Sequence, residues 1–141
     1  MASSWSSVTH VANLNKTIGL VFGVVFIAVG LLGFLINPTL IAFGVNGLHN
    51  VVHLASGAVL LYGALANGGR NARTVNMVFG AVYLLVALLG FIASGLTDAL
   101  LASNHDAFPF ADAILHAILG IALVGAGLMF KEDAPRGVPS R

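Results

Sequence analysis

The chain contains no cysteine and few charged residues. The absence of cysteine excludes disulfides, thiolate metal sites and cysteine nucleophiles, and it leaves no indication of the redox compartment. Only 8% of the 141 residues are charged and 58% are hydrophobic, whereas an average globular chain is about a quarter charged. A soluble domain of this size could not cover its surface with so few charges. The composition therefore indicates an integral membrane protein without a second, water-soluble domain, and its net charge of +1 gives no sign of nucleic-acid binding.

Lysine and arginine are also absent from four long apolar runs. These runs cover about residues 17–36, 44–66, 74–95 and 110–130. Each contains about 20 residues, which is the length that a helix needs to cross a hydrocarbon core of about 30 Å. We therefore predict an all-α protein, a four-transmembrane-helix bundle. Residues 1–16 would form an N-terminal cytoplasmic or interfacial segment, and residues 131–141 a C-terminal cytoplasmic tail.

Turn-forming residues separate the runs. Asn37-Pro38 follows the first, Asn67-Gly68-Gly69 follows the second, and Phe108-Pro109 precedes the fourth. The first run does not resemble a signal peptide, because it is long and no small-residue cleavage site follows it. We expect it to remain in the mature protein.

All basic residues that flank the runs fall on one side of the predicted bundle. They are Lys16, Arg70, Arg73, Lys131, Arg136 and Arg141. The positive-inside rule assigns this side to the cytoplasm, so we expect both termini there. Trp5 would be an interfacial anchor on the same side. Asp98, His105 and Asp106 would lie on the opposite side, where the two aspartates are most simply solvated loop charges.

The two halves of the chain share spaced matches that predict a tandem repeat. At an offset of 57, Val21-Phe22-Gly23 matches Val78-Phe79-Gly80, and Leu31-Leu32-Gly33-Phe34 matches Leu88-Leu89-Gly90-Phe91. At an offset of 63, His53 and Gly57 match His116 and Gly120, and His49 lies opposite Asp112. Two two-helix units would run in the same direction about a pseudo-twofold axis along the membrane normal. The paired glycines, and Gly19 with Gly23, most simply let helices approach closely.

A stripe of polar residues interrupts the second run. Asn46, His49, Asn50 and His53 share one helical face, and in the fourth run Asp112 lies one turn before His116. Because polar groups are costly in hydrocarbon, this stripe must face protein. We predict one polar cluster between spans two and four, in the outer half of the membrane. The inner half would be apolar, with Tyr62 and Tyr83 as interfacial or core aromatics.

Four interpretations of this cluster are open. The first is an interhelical hydrogen-bond network, typical of a non-enzymatic accessory or scaffold subunit that joins a larger membrane complex or self-associates. The second is a ligand site. His49, His53 and His116 could bind a divalent metal with Asp112 as a fourth ligand or an orienting group, or His53 and His116 could ligate haem b axially. No arginine or lysine is available in that half to pair with haem propionates.

The third interpretation is a proton or ion relay through the histidines and Asp112. The apolar inner half argues against it, because no polar path crosses the membrane. The fourth is catalysis. Ser56 lies three residues from His53, but neither an oxyanion site nor substrate access can be identified from the sequence. We therefore expect no enzymatic activity.

The pattern of these residues resembles that of one protein family. The pattern consists of Gly23, Gly30 and Leu32-Gly33-Phe34, then Leu48-His49-Asn50-Val51-Val52-His53-Leu54-x-x-Gly57, and then Asp112 with Leu115-His116-x-x-x-Gly120. It resembles the DUF4383-type family of small bacterial four-span membrane proteins of unknown function. The similarity covers about Thr17 to Phe130, and the His-Asn-x-x-His signature is its most specific part. The resemblance implies a multi-pass protein of the bacterial plasma (inner) membrane with a polar cluster, and it implies no particular activity.

Overall fold

A computed structural model describes the backbone of residues 4–130 and the side chains of residues 14–130 except Asn104. Five helices make up most of this part: α1 Ser4–Leu35, α2 Gly47–Leu65, α3 Ala72–Ile92, α4 Ser94–Leu101 and α5 Ala111–Met129. A short antiparallel hairpin joins α1 to α2, with β1 (Thr39–Leu40) paired to β2 (Phe43–Gly44). The predictions about the Trp5 side chain and the tail at 131–141 lie outside the described residues.

Four of the helices are long and apolar enough to cross a membrane. The candidate spans are Leu14–Leu35, Gly47–Gly69, Ala72–Ile92 and Ala111–Met129. They lie within a few residues of the four predicted runs, so the predicted all-α class with four membrane helices is confirmed. The first helix begins at Ser4, well before the predicted start of the first span at residue 17.

The long helices pack as two pairs. α1 lies along α2 (the first pair), and α3 lies along α5 (the second pair). Both pairs cross at glycine. A Cβ atom added to Gly57 would lie 2.8 Å from the carbonyl oxygen of Gly23, and one added to Gly120 would lie 2.8 Å from that of Gly80. The expectation that these glycines allow close approach is confirmed. The origin of the two pairs by duplication stays a prediction.

Gly19 has the same role one turn from Gly23. A Cβ atom there would lie 3.2 Å from the Cβ of Ala64 on α2. Small residues thus recur along the contact between α1 and α2, as is common where membrane helices pack closely.

The centre of the bundle is a buried apolar cluster with one large residue from each long helix. Its members are Phe26, Leu60, Tyr83 and Leu123. The opposite faces of the same helices expose apolar side chains, among them Val21, Val51, Leu85, Ile118 and Ile121. This exterior is what a helix bundle in contact with lipid requires.

The two ends of the bundle differ in structure. The end that carries residues 36–46 and 93–110, here the loop end, contains the β-hairpin, α4 and a short 3-10 turn at Ser103–His105. The other, here the terminal end, contains Asn15, Phe130 and the turn between α2 and α3. In that turn Asn67, Gly68 and Gly69 have φ values of 51°, 72° and 89°, which end the second span as predicted. The hairpin and α4 lie in connections that the sequence analysis left as loops.

Candidate functional site

The first turn of α2 is held by Asn46. Its side-chain oxygen accepts a hydrogen bond from the backbone N–H of His49 at 2.8 Å, and its amide nitrogen donates to the carbonyl oxygen of Leu100 at 3.0 Å. Asn46 therefore caps the helix and ties it to α4. Asn46, the first residue of the predicted i, i+3, i+4, i+7 stripe, thus serves as a helix cap.

Three histidines converge below this cap. His49, His53 and His116 are 2%, 7% and 5% exposed. One ring nitrogen from each lies within 4.8 Å of the other two. The ring centroids are 4.7 Å apart for His49 and His53, 6.0 Å for His49 and His116, and 6.5 Å for His53 and His116. The structure thus brings together the three histidines of the predicted ligand set.

The orientation of His49 is set by the backbone. Its Nδ1 lies 3.0 Å from the carbonyl oxygen of Gly44 and 3.0 Å from that of Leu101. A carbonyl oxygen only accepts hydrogen bonds, so in a neutral imidazole Nδ1 carries the hydrogen and Nε2 keeps a free lone pair. That Nε2 is buried and has no hydrogen-bond partner among the described residues. Histidines that bind metals commonly donate their other N–H to a carbonyl in this way.

Asp112 joins the cluster from the first turn of α5. One carboxylate oxygen lies 3.9 Å from His49 Nε2, and the other lies 3.9 Å from His116 Nδ1. The side chain is buried. Asp112 therefore lies between histidines from both helix pairs, where it can either coordinate a cation or orient the imidazole of His116.

Asp106 has a structural role that the sequence analysis missed. Its carboxylate accepts a hydrogen bond from the backbone N–H of Gly44 at 2.8 Å and one from that of Asp112 at 2.9 Å. The expectation of a solvated loop charge is therefore wrong for Asp106, because its carboxylate links the hairpin to the start of α5. Asp98 also has a partner, since it accepts a hydrogen bond from the Ser103 hydroxyl. Helical periodicity in the sequence cannot identify these hydrogen bonds, because Asp98, Ser103 and Asp106 lie in the connection between α3 and α5.

Asn50 lies outside the histidine cluster. It is fully buried, and its amide faces Gly33 of α1, where a Cβ atom would collide with it. Neither its oxygen nor its nitrogen has a hydrogen-bond partner among the described residues. Contrary to the prediction, Asn50 and His53 therefore do not face the same neighbour. Asn50 faces α1, whereas His53 faces the other two histidines at the centre of the bundle.

Two aromatic residues form the floor of the site. Phe26 lies 5.4 Å from His53 between ring centroids, and Tyr83 lies 5.1 Å from His116. The two rings stack on each other at 5.1 Å. Phe26 and Tyr83 are 57 residues apart, which is the offset of the predicted repeat. This offset could have indicated from the sequence that Tyr83 occupies the position in the second pair that Phe26 occupies in the first.

A cavity of about 360 Å³ leads from the loop end to the cluster. Asp112 and His116 line it, together with Asp98, Ser103 and Asp106 from the connection between α3 and α5. Three acidic side chains line this cavity and no lysine or arginine does, which favours a cation over an anion.

A second polar cluster lies at the terminal end, where the sequence analysis expected basic residues but no buried asparagines. The Asn76 amide donates to the carbonyl oxygen of Asn15 at 3.0 Å, and the Asn15 amide donates to that of Phe130 at 2.6 Å. Arg73 donates to the carbonyl oxygen of Gly127 at 2.7 Å. The expectation of polar groups in one half only is therefore wrong. The apolar core cluster lies between the two polar clusters.

Comparisons with known proteins identify the family alone. Neither the comparison with curated proteins nor that with solved structures found a match. The family model described as a domain of unknown function (DUF4383) matches residues 16–129. That range holds all three clustered histidines, Asp112 and the glycines of both helix pairs. The match covers most of the chain, and the protein therefore belongs to the DUF4383 family.

Proposed function

We propose that this membrane protein binds a divalent transition-metal ion through His49, His53 and His116. The observation that carries the proposal is the convergence of three buried ring nitrogens within 4.8 Å of one another. Imidazole is a ligand for zinc, copper, nickel and iron, whereas magnesium and calcium prefer oxygen. Three buried imidazoles therefore indicate an ion of the first group.

The distances are compatible with tetrahedral coordination after small side-chain rotations. Zinc–nitrogen bonds of about 2.0–2.1 Å place neighbouring ligand nitrogens about 3.4 Å apart. Closing 4.8 Å to that value requires movements of about 1.4 Å, shared between the rings. Asp112 lies 3.9 Å from both His49 Nε2 and His116 Nδ1, and it supplies either a fourth ligand or the carboxylate that orients His116.

The surroundings favour a single ion over haem b. Between ring centroids, His49 lies 4.7 Å from His53 and Tyr83 lies 5.1 Å from His116. The imidazoles of His53 and His116, the two candidate haem ligands, are therefore already packed against other rings where a porphyrin would extend. No lysine or arginine lines either described cavity beside the histidines to pair with propionates.

A direct test is metal analysis of protein purified in detergent without chelator. We expect close to one equivalent of zinc or a similar ion in the wild type, retained through gel filtration. His53→Ala and His116→Ala should lose it, whereas His105→Ala, at an exposed loop position, should retain it. Thermal unfolding of each variant shows whether the bundle is still folded. A wild type that binds no ion after incubation with zinc, copper or nickel contradicts the proposal.

The second candidate is an accessory or scaffold subunit without a ligand. The hydrogen bonds of His49 to Gly44 and Leu101 support it, since they connect α2 to the hairpin and to α4 without any ion. Under this hypothesis a larger complex, or a self-associated form, co-purifies in mild detergent. Metal analysis and co-purification therefore separate the two candidates.

We also infer that the terminal end faces the cytoplasm of a bacterial cell. Lys16 lies beside Gly69, and Arg70 and Arg73 lie in the adjoining turn and at the start of α3. These basic residues favour the cytoplasmic side. The absence of cysteine allows a clean test with Asn71→Cys and Ala107→Cys, both at exposed positions. A membrane-impermeant maleimide should label Ala107→Cys alone in intact spheroplasts, and labelling of Asn71→Cys alone would reverse the orientation.

A further inference from the structure

A second cavity, of about 270 Å³, lies beside the histidines between α2, α3 and α4. Its walls are mostly aliphatic, and they include Leu48, Val52, Val82, Leu96 and Leu100. All five of these side chains are also exposed on the outside of the bundle. The cavity thus adjoins the apolar exterior of the helices, whereas the cavity lined by Asp98 and Asp106 adjoins the polar loop end.

Polar residues adjoin the inner wall of this cavity. Tyr83 is 3% exposed and its hydroxyl interacts with the Ser56 side chain, whereas His53 Nδ1 has no hydrogen-bond partner among the described residues. The buried side chain of Ser56 lies on the same wall. A buried polar group without a hydrogen bond costs about 1–3 kcal/mol. A ligand that supplied a partner would recover this cost.

We propose that the cavity binds a neutral, lipid-soluble carbonyl compound of the quinone type. The aliphatic mouth on the exterior selects a molecule that arrives through lipid. Tyr83 offers a hydroxyl donor, which requires an acceptor such as a carbonyl oxygen. No lysine or arginine lines the cavity to pair with an anionic head group.

The size of the cavity supports a ring rather than a long chain. Ligand cavities commonly measure about 300–1,000 Å³, and this one lies just below that range. It accommodates a substituted ring whose carbonyl meets Tyr83, while an apolar tail leaves between Val52 and Val82 toward the lipid.

This inference goes beyond metal binding and can be tested separately. His49, His53 and His116 line the cavity, but Tyr83, Val82 and Ser56 are not among the proposed metal ligands. Changes at Tyr83 and Val82 therefore test the cavity while the three imidazoles remain. Metal content measured on the same samples shows whether one proposal fails without the other.

The experiment measures binding of decylubiquinone to the full chain in lipid nanodiscs by calorimetry, with empty nanodiscs as the reference. We expect saturable binding of about one molecule per chain. Tyr83→Phe should weaken it by about three- to tenfold, the effect of one lost hydrogen bond. Tyr62→Phe is the matched control, because Tyr62 is the other tyrosine and is exposed on α2.

Val82→Phe should abolish binding, because the larger ring fills the mouth of the cavity. Val52→Phe serves the same purpose from α2 if Val82→Phe lowers the unfolding temperature. Decylbenzene, which has the same tail without carbonyls, should show no saturable binding. The proposal is overturned if decylubiquinone binds no better than to empty nanodiscs, if decylbenzene binds equally well, or if Tyr83→Phe and a folded cavity-filling variant both bind like wild type.

Discussion

The first and second helix pairs have the same crossing but different side chains around it. Gly23 meets Gly57 in the first pair as Gly80 meets Gly120 in the second, and both contacts come within about the same distance. At the matched positions on α2 and α5, His49 corresponds to Asp112, Asn50 to Ala113 and His53 to His116. The backbone contact at each crossing leaves no room for a Cβ atom, so only glycine fits there. The positions above it can differ, and there the protein places its ionisable groups.

The largest expected effect concerns the unequal pair His49 and Asp112. If His49 is a ligand and Asp112 mainly orients His116, His49→Ala should weaken zinc affinity by more than about 100-fold, and Asp112→Asn by about 10- to 100-fold. Competition with a chromogenic chelator measures both. Equal losses would mean that Asp112 coordinates the ion directly. Unchanged zinc affinity in both variants would mean that neither His49 nor Asp112 contributes to the metal site.

The next effect tests the equivalence of the two crossings. Gly57→Ala and Gly120→Ala each place a methyl group about 2.8 Å from a backbone oxygen, and we expect each to lower the free energy of unfolding by about 1–3 kcal/mol. Gly125→Ala is the matched control in α5, because a Cβ atom there has no neighbour within 4 Å. Unfolding in detergent by titration with denaturant measures all three. A large loss in one variant alone would show that the pairs are not equivalent.

A smaller effect on stability is expected at the loop end, which belongs to neither helix pair. Asp106→Asn replaces one of the two accepting oxygens that bind the N–H groups of Gly44 and Asp112. We expect a loss of about 1.5–3 kcal/mol at most, since the lost bond involves a charged acceptor. Asp98→Asn is the control, and its loss should be smaller because Asp98 accepts from the Ser103 side chain instead of joining two segments. Hydrogen exchange of residues 39–46 should quicken in Asp106→Asn only.

The smallest effect is expected at Asn50, the residue that most separates the first pair from the second. Its amide has no partner, so Asn50→Ala should leave the free energy of unfolding within about 1 kcal/mol of wild type. Gly33→Ala should be destabilising alone but tolerated with Asn50→Ala, with a coupling energy of about 0.5–3 kcal/mol. The double-mutant cycle measures that coupling. Additive effects would mean that Asn50 moves away from Gly33 at no cost.

The sequence predicted the spans and the histidine cluster because both depend on local patterns. Apolar runs of about 20 residues and a polar stripe at helical spacing are visible without knowledge of any tertiary contact. The helix α4, the hairpin and the hydrogen bonds of Asp106 escaped prediction, because they depend on which connections meet at the loop end. The same is true of Asn15 and Asn76, which are isolated polar residues until α1 and α3 bring them together.

The amino-acid sequence alone determined that this chain is a bundle of four membrane helices, because burial in lipid requires long apolar segments whose backbone groups bond within each helix. It also determined that His49, His53, Asp112 and His116 turn away from lipid, since their exposure there would be costly. Only the tertiary structure decided that His49 is oriented by Gly44 and Leu101, that Asn50 faces α1, and that a polar and an apolar cavity meet at the histidines. These features follow from contacts between segments far apart in the chain, whose rotation and depth no local pattern specifies.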